Sequence, residues 1–201
     1  MQLDKKLRRP AIAGLSVVLL ALAACSAESK QPAVTDAGIS TPVIASGCQP
    51  YGDFGFIEPH GTEQRLSDIC GSAPLAVVFF GNVDCHECLT HLAELQRSYG
   101  LFQSLGARLV AVGTDSPDRV ETMAGLIGLE FPVVADPDGV ISRNWQGFSL
   151  PFDTRATTGT FVFGPAGELI AVKKSLESAG GLISAGELLQ TINDSLRSGV
   201  A

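Results

Sequence analysis

The chain is poor in positive charge: 14 Lys plus Arg stand against 21 Asp plus Glu, a formal charge of −7 over 201 residues. Nucleic-acid phosphates need compensating Lys and Arg, so this balance excludes a nucleic-acid partner. The apolar N-terminal run, Ala11 to Ala24, is shorter than the roughly 20 residues that a bilayer-spanning helix needs. Internal repeats and a second domain boundary are both lacking, which excludes solenoids and tandem arrays. Beyond the N-terminal segments, roughly 150 residues remain, enough for one domain with its own core.

What is present begins with a transport address. Lys5, Lys6, Arg8 and Arg9 form a positive region ahead of the apolar run, the order of a secretory signal over residues 1–24. The run ends at Leu22-Ala23-Ala24-Cys25, which resembles the lipobox of bacterial lipoproteins. That resemblance implies a diacylglycerol on the Cys25 sulfur and cleavage that leaves Cys25 first. The alternatives are an ordinary secretory signal cut near Ala24 or an uncleaved anchor, and either exports the chain. Residues 1–24 carry four of the basic residues and only Asp4 of the acidic ones, so the mature chain holds ten basic and twenty acidic residues, a charge of −10. No polybasic patch is left to bind anionic lipid, and membrane attachment rests on the acyl chains. Residues 25–47 comprise Cys25 and a Ser, Ala, Pro, Thr and Gly-rich stretch without sustained periodicity, which reads as a flexible tether. Residues 48–201 are the expected folded domain, held at the bacterial cell envelope and facing the periplasm or extracytoplasmic space.

Leu75 to Phe80 is a continuous apolar run opened by Pro74 and closed by Gly81, the pattern of a strand buried on both faces and central to its sheet. Leu92, Leu95, Tyr99 and Phe102 recur at helical spacing opposite Glu94, Gln96 and Arg97, which predicts an amphipathic helix from Glu87 to about Leu105. A strand is predicted over Arg108 to Val112. Ser116 and Pro117, an N-cap and a first-turn proline, then open a helix that runs to about Ile127. A short strand near Phe131 to Ala135, a Pro-Asp-Gly turn at 137–139 and a short helix through Trp145 follow. Thr160 to Phe163 and Leu169 to Val172 flank the turn signal Gly164-Pro165-Ala166-Gly167, and a helix over about Ser184 to Leu196 closes the domain. The order predicts an α/β, thioredoxin-like fold: a central mixed β-sheet with parallel central strands, flanked by helices on both faces.

Gly81-Asn82-Val83-Asp84-Cys85-His86-Glu87-Cys88 covers the loop after the central strand and the start of the long helix. Unpaired N–H groups and the positive end of the helix dipole stabilise a thiolate at Cys85 there. Cys88 lies on the stripe of Leu92 and Leu95, so it is the expected buried thiol, placed to attack a mixed disulfide on Cys85 from inside. A protonated His86 favours the thiolate, whereas Asp84 and Glu87 oppose it with similar strength. A C-x-x-C pair also fits half a zinc site, a structural disulfide or two buried thiols. Zinc wants a second pair of ligands, but Cys48 and Cys70 are 22 apart and His60 and His91 lack H-x-x-x-H partnering, so no metal and no cofactor is expected. With Cys25 committed to lipid, the other four cysteines allow three pairings. The expected one joins Cys85 to Cys88 and Cys48 to Cys70, the second bridge pinning the N-terminal segment to the domain. In the alternative, Cys48 or Cys70 resolves Cys85 in a peroxidase cycle. Trp145 is expected in the core or at its rim, His60 and His91 at the surface, and Arg155 as a solvated loop charge.

Several fragments, taken in order, are similar to the redoxin family, the alkyl hydroperoxide reductase and thiol-specific antioxidant group of peroxiredoxin-like proteins. They are Asp53-Phe54, Leu66-Ser67-Asp68, the strand into Cys85, Val112-Gly113-Thr114-Asp115-Ser116-Pro117, Phe131-Pro132-Val133-Val134-Ala135-Asp136-Pro137-Asp138-Gly139 and Thr160-Phe161-Val162-Phe163 with Gly167. The resemblance implies a thioredoxin fold, thiol-dependent oxidoreductase or antioxidant activity, and Cys85 as the reactive cysteine. Its partners would be extracytoplasmic protein disulfides or thiols, or peroxide. Peroxiredoxins carry Thr-Pro-x-x-Cys, where this chain has Asn82-Val83-Asp84-Cys85, and an Arg just before the strand near Thr160, where Arg155 lies five residues upstream. Thioredoxins place a cis-proline immediately before that strand, a place taken here by Gly159, which widens access to the thiols or admits a metal. Phe80-Gly81 through Cys85, with Leu92-Ala93-Glu94-Leu95, also resembles Sco-type copper chaperones. Those space their cysteines C-x-x-x-C and supply a distant His where this chain has Thr157-Thr158-Gly159. Disulfide exchange is therefore the leading expectation, with thiol peroxidase and copper carrier as the alternatives.

Overall fold

The computed structural model describes residues 48, 51–146, 158–176 and 179–198. The signal, Cys25 and the tether through Gly47 lie outside the described residues, as do Thr157 and Arg155. In chain order the elements are β1 (Gly55–Ile57), β2 (Glu63–Arg65), α1 (Leu66–Ile69), β3 (Leu75–Phe80), α2 (His86–Arg97), α3 (Tyr99–Ser104) and β4 (Arg108–Gly113). They continue with α4 (Pro117–Ile127), β5 (Val133–Ala135), α5 (Val140–Gln146), β6 (Thr158–Phe163), β7 (Leu169–Ser175) and α6 (Ala185–Ser198).

Five strands form one sheet in the order β5-β4-β3-β6-β7, and β1 pairs with β2 in a separate hairpin. The β3–β4 and β4–β5 pairs are parallel, whereas β6 runs antiparallel to both β3 and β7. The apolar run 75–80 is the central strand, and all six of its residues are buried. Its side chains alternate between two cores, as a period of two requires. Ala76, Val78 and Phe80 pack with Cys88, Leu92 and Leu95 of α2 and with Leu188 and Ile192 of α6. Leu75, Val77 and Phe79 pack on the other face with Phe54, Phe56, Leu66, Phe161 and Trp145. Both faces are covered, as predicted.

Trp145 is core: it is 2% exposed, and its indole N–H donates to the Gly52 carbonyl at 3.2 Å. Tyr51, Phe54, Phe79, Phe161 and Phe163 surround it. Cys48 and Cys70 are bonded at the edge of this cluster, with Cα atoms 5.8 Å apart, and the bridge ties the segment before β1 to the end of α1. Gly113 ends β4 opposite Phe80, and any Cβ there would enter the Phe80 ring, so the tight strand-end packing requires glycine.

Several features differ from expectation; β5 starts at Val133 and β7 extends to Ser175. The helix expected from Glu87 to Leu105 breaks at Ser98, whose N–H is shared between the carbonyls of Glu94 and Leu95. Ser98 and Gly100 are weak helix formers, and the apolar periodicity running across them masked the break. The β1–β2 hairpin and α1 are too short to show a period. Finally, β6 starts at Thr158, so Gly159 lies inside the strand opposite Phe79 and not immediately before it.

Candidate active site

The head of α2 presents the dithiol. Cys85 is its N-cap residue, in an extended conformation, and its sulfur accepts the Cys88 N–H at 3.2 Å. The N-cap position supplies an otherwise unsatisfied donor to sulfur, the place where negative charge on a thiolate is stabilised. Cys85 and Cys88 are bonded, with Cα atoms 5.2 Å apart. Cys85 is half-buried, whereas Cys88 is wholly buried in the α2 core. The two sulfurs therefore differ in access as the helical stripe predicts.

The preceding loop is held from two directions. The Cys85 N–H donates to the Asn82 carbonyl at 3.1 Å, and the Asn82 side chain accepts the Asp84 N–H at 3.1 Å. From the β4–α4 turn, the buried Asp115 carboxylate accepts the Val83 N–H at 3.3 Å and the Ser116 N–H at 2.8 Å. Arg119 reaches both Asp115, at 3.1 Å, and Asp84, at 2.7 Å. His86 and Glu87 are exposed, so their influence on Cys85 passes partly through solvent. An apolar groove of about 390 Å³ opens beside the loop, lined by Val83, Leu89, Arg119, Met123, Leu126 and Ile127. Among the described residues, no group of three or more His, Cys, Asp or Glu side chains is arranged to hold a metal ion.

Over residues 49–172 the sequence matches the AhpC/TSA family. The chain belongs to that family. Alkyl hydroperoxide reductase C of Pseudomonas aeruginosa is 30% identical over 101 residues, which cover 48% of this chain and 54% of that protein. Among solved structures, peroxidoxin BcpB of Mycobacterium tuberculosis superposes with a TM-score of 0.60 at 20% identity, over 74% of this chain and 97% of that one. Enterococcus faecalis AhpC gives 0.62 at 22% identity, over 74% and 90%. These structures share the thioredoxin-like fold. As an AhpC/TSA-family member, the chain is a thiol-dependent oxidoreductase.

In this AhpC/TSA protein the expectation for His91 is overturned: it is 8% exposed, on the face of α2 that also carries Cys88 and Leu95. A histidine three residues after Cys88 shares that inward face, a spacing that sequence reasoning overlooked. Burial holds the imidazole below its ordinary 6.5; Glu94 pulls upward, and Lys173 adds to the downward shift. Its Nε2 has no hydrogen-bond partner among the described residues. The folded state therefore favours neutral His91. The resulting stability is complete above the ordinary pKa and declines below pH 6.5, as the unfolded chain takes up a proton that the folded chain resists. Replacing His91 with Leu removes an unsatisfied buried nitrogen and is expected to add about 1 kcal/mol at neutral pH. Its melting advantage over wild type should widen on acidification; a constant gap would contradict this linkage.

Arg119 and Asp115 are the site residues that sequence reasoning missed. Their signal was present as an Asp–Arg pair four apart at the start of a helix. That spacing shows the pair but not its reach across 35 residues to Asp84.

Proposed function

We propose that this AhpC/TSA-family protein catalyses thiol–disulfide exchange, with Cys85 as the attacking thiol and Cys88 as the resolving one. The observation that carries the reading is the asymmetry of the bonded pair at the head of α2: Cys85 is half-buried and Cys88 wholly buried beneath it. The bond between Cys48 and Cys70 supports a structural role for that pair, which leaves Cys88 to resolve Cys85.

In the reducing direction, the Cys85 thiolate attacks one sulfur of a protein disulfide. A Cys85–partner bond forms, the partner S–S bond breaks, and the first partner thiolate leaves and takes a proton. Cys88, deprotonated, then attacks the Cys85 sulfur, restoring the 85–88 disulfide and releasing the second partner thiol. Two electrons pass from the dithiol to the partner, and the two protons lost by Cys85 and Cys88 match those gained. The oxidising direction is the reverse. The deciding experiment compares capture of protein partners by the Cys88→Ser variant with the rate at which wild type consumes peroxide.

A second reading, thiol peroxidase, is favoured by the similarity to a protein named alkyl hydroperoxide reductase C. Against it stands Asn82-Val83-Asp84 ahead of Cys85, without the Thr and Pro that peroxiredoxins place there.

The reading includes a location: lipid on Cys25, in the bacterial cell envelope, facing the periplasm or extracytoplasmic space. Its support is the charged, apolar and Leu22-Ala23-Ala24-Cys25 order of the N-terminus. Partners would then be extracytoplasmic protein disulfides or thiols. Cys25→Ser is expected to release the protein from membranes or leave it unprocessed, read by fractionation and intact mass. No change in either measurement would rule the lipid anchor out.

A further inference from the structure

Asp84 immediately precedes the attacking Cys85, and its carboxylate opposes the negative charge that Cys85 must carry. Arg119 sits against it: Nη2 donates to Asp84 Oδ1 at 2.7 Å, while Nη1 lies 3.1 Å from Oδ2 of Asp115. The two carboxylates differ sharply in exposure, 71% for the Asp84 side chain against 8% for that of Asp115. An ordinary surface ion pair is loosely held and contributes little. Here the buried Asp115, fixed by the Val83 and Ser116 N–H groups, anchors one arm of the guanidinium. The other arm is thereby aimed at the residue before Cys85.

The segments around Cys85 carry Asp84, His86 and Glu87 in its own loop and helix start, Asp115 in the β4–α4 turn, and Asp118 and Arg119 in the first turn of α4. The facing strand β6, Thr158–Phe163, contains no charged residue. Arg119 is thus the single permanent cation among these segments, set among four carboxylates. Its removal leaves Asp84 uncompensated at the thiol.

We propose that Arg119 is a positioning residue for the redox reaction: anchored by Asp115, it offsets the charge of Asp84 and so favours the Cys85 thiolate in the reduced enzyme. This deepens the exchange reading and rests on Cys85 being the attacking thiol. No bond changes at Arg119 during the cycle; its effect is on how readily Cys85 ionises and attacks.

The test uses the reduced full chain and follows iodoacetamide alkylation of Cys85 and Cys88 separately by mass spectrometry across pH. Arg119→Gln is expected to slow Cys85 alkylation at neutral pH by about two- to ten-fold and to move its pH midpoint upward, more so at low salt than at high. Arg119→Lys should recover part of the rate by restoring the charge. Asp84→Asn alone should move the midpoint downward, and the same change in the Arg119→Gln background should return it toward wild type. Asp84 is exposed, so these results do not hinge on a fragile core. A midpoint unmoved by Arg119→Gln, or one that Asp84→Asn leaves shifted, overturns the role of Arg119 while Cys85 keeps its own. Faster alkylation of Cys88 than of Cys85 in wild type overturns the exchange reading and this inference with it.

Discussion

Expressed in a bacterial envelope, the Cys88→Ser variant should be recovered joined through Cys85 to other proteins, while Cys85→Ser should capture almost none. The difference follows from which sulfur partners can reach. Cys85 is half-buried at the tip of α2, and Cys88 is enclosed in the core beneath it. A partner disulfide meets Cys85 first, and without the Cys88 thiol the mixed disulfide has no internal route to release. Its lifetime then depends on external thiols, and reshuffling of that kind takes seconds to hours. At least a ten-fold excess of captured protein, on the order of the difference between a blocked and an open step, is expected over the Cys85→Ser background. Peroxide should be consumed by wild type below ~10⁴ M⁻¹s⁻¹, the low end of ordinary enzyme efficiency. Peroxide cleavage benefits from groups that orient the O–O bond and stabilise the leaving oxygen, and the Thr that peroxiredoxins use is replaced here. Peroxide turnover above that rate, with no captured partner, would replace exchange by the peroxidase reading.

The sequence made this site legible where one element carried the whole pattern. Leu75 to Phe80 is apolar throughout because both faces of β3 are covered, and that fact places the following loop at the carboxyl end of a central strand. Cys88 falls on the stripe of Leu92 and Leu95, so its depth relative to Cys85 follows from helical period alone. The 48–70 pairing was one of several that the cysteine count allowed, and the fold selects it by bringing both into one aromatic cluster. Tertiary relations were harder to read. His91 is polar on an inward face, and only the folded structure shows that it is buried. Arg119 meets Asp84 because β3 and β4 are adjacent and parallel, which brings the loop after each strand to the same end of the sheet. No spacing along the chain encodes that meeting. Gly159 shows the limit from the other side: a two-residue error in the start of β6 moves it from just before the strand to inside it.

Removing both halves of the other bridge should separate folding from chemistry. Cys48 and Cys70 enclose a separation of 22 residues, and closing a loop of that length restricts the unfolded chain by about 3 kcal/mol in the chain-entropy account. In a domain of this size about 1 kcal/mol moves the melting temperature by roughly 2–4 °C, so Cys48→Ala with Cys70→Ala is expected to melt about 6–12 °C lower. Both sulfurs are buried beside Phe54, Phe56 and Leu66, and the lost packing acts in the same direction. Cys88 belongs to the core on the opposite face of the sheet, with Ala76, Val78 and Phe80. Well below its melting temperature, the double variant should therefore keep wild-type exchange rates, and adding Cys88→Ser to it should still capture partners through Cys85. Loss of turnover in a variant that melts within ~2 °C of wild type, less than 1 kcal/mol shifts a domain of this size, would show the opposite assignment. Cys48 or Cys70 would then be resolving Cys85, and the bridge between them would be a resting state of the catalytic cycle rather than a staple of the fold.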